Sequence, residues 1–167
     1  DLNSNSITGT GNLDIANGTI KLDGNYPTGT NNVALGDTAL SSGSLSGASN
    51  TAIGHAALIA NTSGNVNTGI GKQALTANTT GSNNVALGGQ ALDANTTASF
   101  NTAIGYNSLT SNLIGANNTA LGYQSLCKNT ASNNTAVGYN ALVANTTGTN
   151  NVAIGKDSMD SSTTGSA

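Results

Sequence analysis

A nine-residue phrase, Asn-Thr-Ala-Ile-Gly-Tyr-Asn-Ser-Leu at positions 101–109, occurs eight times along the chain with small changes. Its glycine stands at Gly36, Gly54, Gly71, Gly88, Gly105, Gly122, Gly138 and Gly155, so successive copies lie 18, 17, 17, 17, 17, 16 and 17 residues apart. A period near 17 is too short for a repeat of paired helices and fits one turn of a solenoid. Whatever the chain does must be done by what a stack of such turns can present.

The copies align column by column. Four positions before each glycine there is always Asn: Asn32, Asn50, Asn67, Asn84, Asn101, Asn118, Asn134 and Asn151. Thr or Val follows, then Ala (Gly69 once), then Ile, Leu or Val, then the glycine. Four positions after the glycine comes Leu, as in Leu58, Leu75, Leu92 and Leu109, with Met159 in the last copy. Asn returns seven after the glycine at Asn61, Asn78, Asn95, Asn112, Asn129 and Asn145.

This pattern predicts a short strand over Asn-Thr-Ala-Ile, with Thr102 and Ile104 on one face and Ala103 on the other. The glycine is the corner, Ser/Ala-Leu is expected to form a second short strand, and Asn-Thr-Thr-Gly the return loop. The one-residue length changes all fall between the Leu column and the next Asn, which marks that side as surface loop. A helix over Ala-Leu-x-Ala-Asn is rejected, since so short a segment is unstable on its own. In register, identical residues lie over one another at about 4.8 Å, giving a rod roughly 35–40 Å long. The Asn columns Asn50, Asn67, Asn84, Asn101, Asn118, Asn134 and Asn151 then form structural ladders, bonding side chain to side chain.

With two large apolar side chains per coil, the Ile/Leu and the Leu, the core is thin against the entropy of ordering 17 residues. The small Ala column would let another chain approach closely. A homotrimer sharing its core is therefore expected.

Residues 1–30 fall outside the repeat. There, Leu13–Leu22 suggests a β-hairpin closed at Asn17-Gly18, pairing Ile15 with Ile20, Leu13 with Leu22 and Asp14 with Lys21. The expected organisation is a lead-in over 1–30, head repeats over 31–160 and a connection over 161–167, the whole being a segment of a longer protein.

Composition narrows the partners. Only 7% of residues are charged, there is no Arg or Glu, and the net charge is −3. No basic patch exists to hold phosphates, so nucleic acid is not an expected partner. No apolar run reaches the roughly 18–20 residues of a membrane span, so no membrane insertion is expected of this segment.

The phrases N-T-A-I-G-Y-N-S-L and N-V-A-I-G resemble the head repeats of trimeric autotransporter adhesins of the YadA type, though these coils carry about three more residues in the return loop. The longer form ending in N-T-T-G is similar to repeats of phage tail-fibre and chimeric bacterial fibre proteins. The resemblance spans residues 31–160. It implies an all-β, left-handed parallel β-roll (β-solenoid) of eight coils, homotrimeric, extracellular, on a bacterial cell surface or virion fibre. It names no ligand.

Catalytic chemistry has few candidates. His55 has no acidic neighbour in its own coil, and its column is variable. The single cysteine, Cys127, shares a column with Ser41, Thr76, Asp93 and Val143, which speaks for a tolerant site. Asp157 and Asp160 are the best carboxylate pair and lie near the end. No enzyme, cofactor or metal is expected. One column stands out: Tyr106, Tyr123 and Tyr139 follow the glycine in three consecutive copies, with Lys156 next and His55 and Lys72 further along. An exposed aromatic strip is a candidate platform for sugar rings. The expected function is a non-catalytic trimeric fibre or adhesin head segment acting in adhesion or host recognition, with a host or prey surface glycan or protein as partner. The alternatives are a passive shaft presenting another tip domain, and an ice-binding solenoid using the column Thr51, Thr68, Thr102, Thr119 and Thr135.

Overall fold

A computed structural model describes residues 30–166, and the hairpin expected at Leu13–Leu22 lies outside the described residues. Eight three-residue strands stack into one parallel sheet in strict chain order: β1 Val33–Leu35, β2 Thr51–Ile53, β3 Thr68–Ile70, β4 Val85–Leu87, β5 Thr102–Ile104, β6 Thr119–Leu121, β7 Thr135–Val137 and β8 Val152–Ile154. Each repeat supplies one strand, and every pairing is in repeat register, as in Thr102↔Thr119, Ala103↔Ala120 and Ile104↔Leu121. The architecture is a parallel β-solenoid with no helix among the described residues.

The second strand expected at Ser/Ala-Leu does not form. That segment is a chain of turns, and its residues alternate into the left-handed region: Asn107 at φ 55°, Leu109 at φ 55°, with Gly105 at φ 131° before them. A third non-glycine residue per coil, Asn117 in this one, is also left-handed, at φ 58°. A β-branched or bulky residue ordinarily resists this conformation by about 1–2 kcal/mol. Leu109 accepts it because its side chain is wholly buried, where it gains roughly 2–3 kcal/mol. Gly105 has no such freedom to vary, since a Cβ there would stand 2.5 Å from the carbonyl oxygen of Gly122 in the next coil.

The faces are the reverse of the packing expected from the sequence. Ala52, Ala86, Ala103, Ala120 and Ala136 point inward and are fully buried, forming one core with the Leu column from Leu40 to Leu142. The Ile/Leu/Val column points outward beside Thr/Val, and Leu121 remains 42% exposed. Alanine is small because the coil is flat and its interior must hold a Leu and two Asn side chains. The Ala column is therefore not a surface for another chain. In the first coil, which lacks the second Asn, Leu45 is fully buried and joins the core.

Candidate functional site

The interior polar frame comes first, because it fixes the coil corners on which every exposed column rides. Asn101 Oδ1 accepts the backbone N–H of Asn118 at 2.9 Å, and its Nδ2 donates to the Gly115 carbonyl at 2.9 Å. The same two bonds recur at Asn50, with Asn67 N–H at 2.9 Å and Gly64 O at 2.9 Å, and at Asn84, with Asn101 N–H at 3.0 Å and Ala98 O at 2.9 Å. Asn67, Asn118, Asn134 and Asn151 donate alike to the carbonyls of Gly81, Ala131, Gly148 and Gly165. Side chain to side chain bonds also occur, as from Asn84 Nδ2 to Asn67 Oδ1 at 3.2 Å, but the repeating contact is side chain to backbone.

The second Asn column turns onto the same carbonyls from within its own coil. Asn112 Nδ2 donates to Gly115 O at 2.7 Å, and Asn78 Nδ2 to Gly81 O at 3.0 Å and to Asn61 Oδ1 at 2.9 Å. Both columns are visible in the sequence, but the acceptor they share is not, because Gly115 occupies a position filled by Ala98 and Ala131 in other coils. Where the return loop is one residue shorter, after Asn129, the frame adjusts: Asn129 Nδ2 takes Ala131 O at 2.7 Å and Asn134 Nδ2 reaches Asn129 Oδ1 at 3.2 Å.

Two exposed surfaces ride on this frame. The first is the outer sheet face, two columns wide, with Thr or Val in one and Ile, Leu or Val in the other. Leu35, Leu87, Leu121 and Ile154 are exposed large apolar side chains there, and Val85 and Val152 join them. A column of Ile, Leu and Val repeated in every coil, with its largest members exposed, is unusual for a surface left in water.

The second is the corner column that follows each glycine: Asp37, His55, Lys72, Gly89, Tyr106, Tyr123, Tyr139 and Lys156. The three tyrosines do come together. Ring centroids are 5.8 Å apart for Tyr106 and Tyr123 and 5.2 Å for Tyr123 and Tyr139, with interplanar angles of 19° and 8°. The rings stand 50%, 41% and 47% exposed in that order. Stacked in this way they cover one another's faces and turn their edges to solvent. Lys156 Nζ lies 5.9 Å from the Tyr139 centroid and caps that end by a cation–π contact. The other end, at Tyr106, meets Gly89, which has no side chain. Tyr106 Oη donates to Gln90 Oε1 at 3.2 Å. His55 lies 3.7 Å from Asp37 across one coil, an exposed pair worth little energetically.

The remaining candidates are dispersed. Cys127 is half-buried, and burial pushes its thiol up while Lys128 pulls it down more weakly, so the reactive thiolate is disfavoured. Asp157 is engaged with Lys156 at 3.5 Å, and Asp160 accepts from Ser161 at 3.0 Å. Among the described residues no group of three or more His, Cys, Asp or Glu side chains could hold a metal ion, and no helix is long and apolar enough to cross a membrane.

The class defined by this geometry is the parallel β-solenoid. No protein-family model matches the chain, and no significant match was found among curated proteins or solved structures.

Proposed function

We propose that the chain is a non-catalytic head segment of an extracellular bacterial or phage fibre, assembled as a homotrimer of left-handed β-rolls and acting in adhesion or host recognition. The observation that carries this reading is the outer sheet face. Its Ile/Leu/Val column runs unbroken from β1 to β8 beside a column of Thr or Val; Leu35, Leu87, Leu121 and Ile154 are exposed in the single chain, and the outward residues of β2, β3, β5 and β7 are half-buried. Three copies turning this face to a common axis would bury it and supply the apolar contact that one coil lacks. Cyclic closure also leaves the corner column on the outside, in three copies, where the tyrosine edges and the cationic ends can meet a surface glycan.

Light scattering on the purified chain tests the assembly, with three times the chain mass expected. A folded monomer at micromolar concentration overturns it. In that case the bare Thr-bearing face, with Thr119 exposed, would favour the ice-binding alternative, which thermal hysteresis decides.

A further inference from the structure

The corner column is interrupted once inside its ring-bearing stretch. Gly89 stands where Tyr106, Tyr123 and Tyr139 stand in the next three coils, and Lys72 stands one coil earlier. Two coil spacings, about 9.5 Å, therefore separate the Lys72 and Tyr106 backbones, and the rung between them contributes no side chain of its own. We propose that this vacant rung is a binding slot for a single pyranose ring bearing a carboxylate. The biological role of the slot rests on the recognition reading above, but the binding itself does not.

Each wall has a part to play. Tyr106 offers the one ring face of the stack not covered by another ring or by Lys156, and sugar C–H groups pack on such a face. Its ring leans into the vacancy: a Cβ on Gly89 would lie 3.3 Å from Tyr106 Cδ2 and 3.6 Å from Cε2. That lean accounts for the longer, more tilted Tyr106–Tyr123 contact, 5.8 Å and 19° against 5.2 Å and 8° for the next pair. An entering ring would press Tyr106 upright onto Tyr123. On the opposite side Lys72 is exposed and makes no ion pair among the described residues, so its ammonium is available to a carboxylate. Gln73 and Gln90 flank the slot in the adjoining column; Gln90 Oε1 already accepts from Tyr106 Oη at 3.2 Å, which leaves its amide N–H groups and the whole Gln73 amide to suit ring hydroxyls. The floor is backbone already committed between the turns of neighbouring coils, through Asn107 N–H to Gly89 O at 3.1 Å and Gln90 N–H to Lys72 O at 2.9 Å. It therefore keeps its shape whether or not a ligand is present. One aromatic face, flanking amides and a free cation in a one-ring gap suit an acidic sugar better than a neutral sugar or a flat aromatic acid.

The test is an NMR titration of the full chain with methyl glucuronide, methyl glucoside and benzoate, following the tyrosine ring protons. Methyl glucuronide should bind at least fivefold more tightly than either control and shift the Tyr106 ring most. Gly89→Tyr, which places the neighbouring coils' own residue in the gap, should weaken binding at least tenfold without lowering the melting temperature. Gly89→Ala, a smaller change, should weaken it less. Lys72→Ala should bring the glucuronide down to the level of the glucoside, and Tyr139→Ala should leave affinity within twofold. Undiminished binding by Gly89→Tyr, no binding of methyl glucuronide, or equal binding of benzoate overturns the slot. If the sugar binds as described but Gly89→Tyr adheres to glycan-bearing cells as well as the parent chain, the slot stands and the host-recognition reading falls.

Discussion

Asn101 and Asn112, eleven residues apart in one coil, donate to the same carbonyl oxygen, that of Gly115, at 2.9 and 2.7 Å. Both side chains are fully buried. A carbonyl has two lone pairs, and here both are used by the two corners of a single coil. The strand start and the return loop are thereby tied together, which fixes the coil's outline independently of its small apolar core.

Asn101→Ala removes one of those donors and also the acceptor of the Asn118 N–H, which is left buried without a partner. The expected loss is about 2–4 kcal/mol, read as a lower midpoint in urea with an unchanged slope. Asn101→Asp should fare no better, because a carboxylate cannot donate to Gly115 O. A melting curve like the parent's in either variant would remove the corner frame as a source of stability.

Leu109→Ala empties the one large apolar side chain of its coil that is fully buried, while leaving a non-glycine residue at φ 55°. A cost of about 2–5 kcal/mol is expected. Ala103→Leu, on the strand face that is also fully buried, should be destabilising as well, through overpacking. If Ala103→Leu is neutral, the inward assignment of that column is wrong.

Ile104→Lys and Ile70→Lys change the outer face and nothing in the core. Each should leave the circular dichroism spectrum of the folded chain unchanged, while sedimentation shows the trimer lost or much weakened. Retention of full-length trimers by the double variant would exclude this face as the interface.

Asp93 carries a pH signature. Burial raises its carboxyl above the usual range, and the Thr76 hydroxyl beside it works the other way more weakly. The folded state therefore holds the proton more tightly than the unfolded chain. This favours folding below the unfolded value near 3.8, and the benefit is lost as pH rises through the raised folded value. Asp93→Thr, the residue found at Thr76 and Thr110 in the same column, should flatten this dependence as pH rises from the unfolded value near 3.8. A parent chain whose melting temperature climbs across that window on account of Asp93 would contradict the sign.

Tyr123→Ala, the middle of the ring stack, breaks two ring contacts at once. About 1–3 kcal/mol of stability should go with it, and adhesion should fall while the trimer persists. If the triple alanine variant at Tyr106, Tyr123 and Tyr139 adheres normally, the column is a cover for the corner and recognition lies elsewhere.

Periodicity was enough to specify a parallel stack, its register and its columns, because identical side chains every 17 residues or so can only be superposed by coiling the chain once per repeat. The alternation within Thr102-Ala103-Ile104 likewise separates two faces without any structure. Which face is the inside was not legible: hydrophobicity alone favours Ile over Ala, and it is the small radius of the coil that reverses the choice. The Leu column read as a strand for a similar reason, since sequence carries no mark of the left-handed backbone that only close packing of Leu109 makes tolerable. The shared acceptor of Asn101 and Asn112, and the open ring face that Gly89 leaves on Tyr106, depend on distances across the coil and between coils. Local sequence sets neither distance. The tertiary stack does, by bringing a fixed outline back to the same place once every turn.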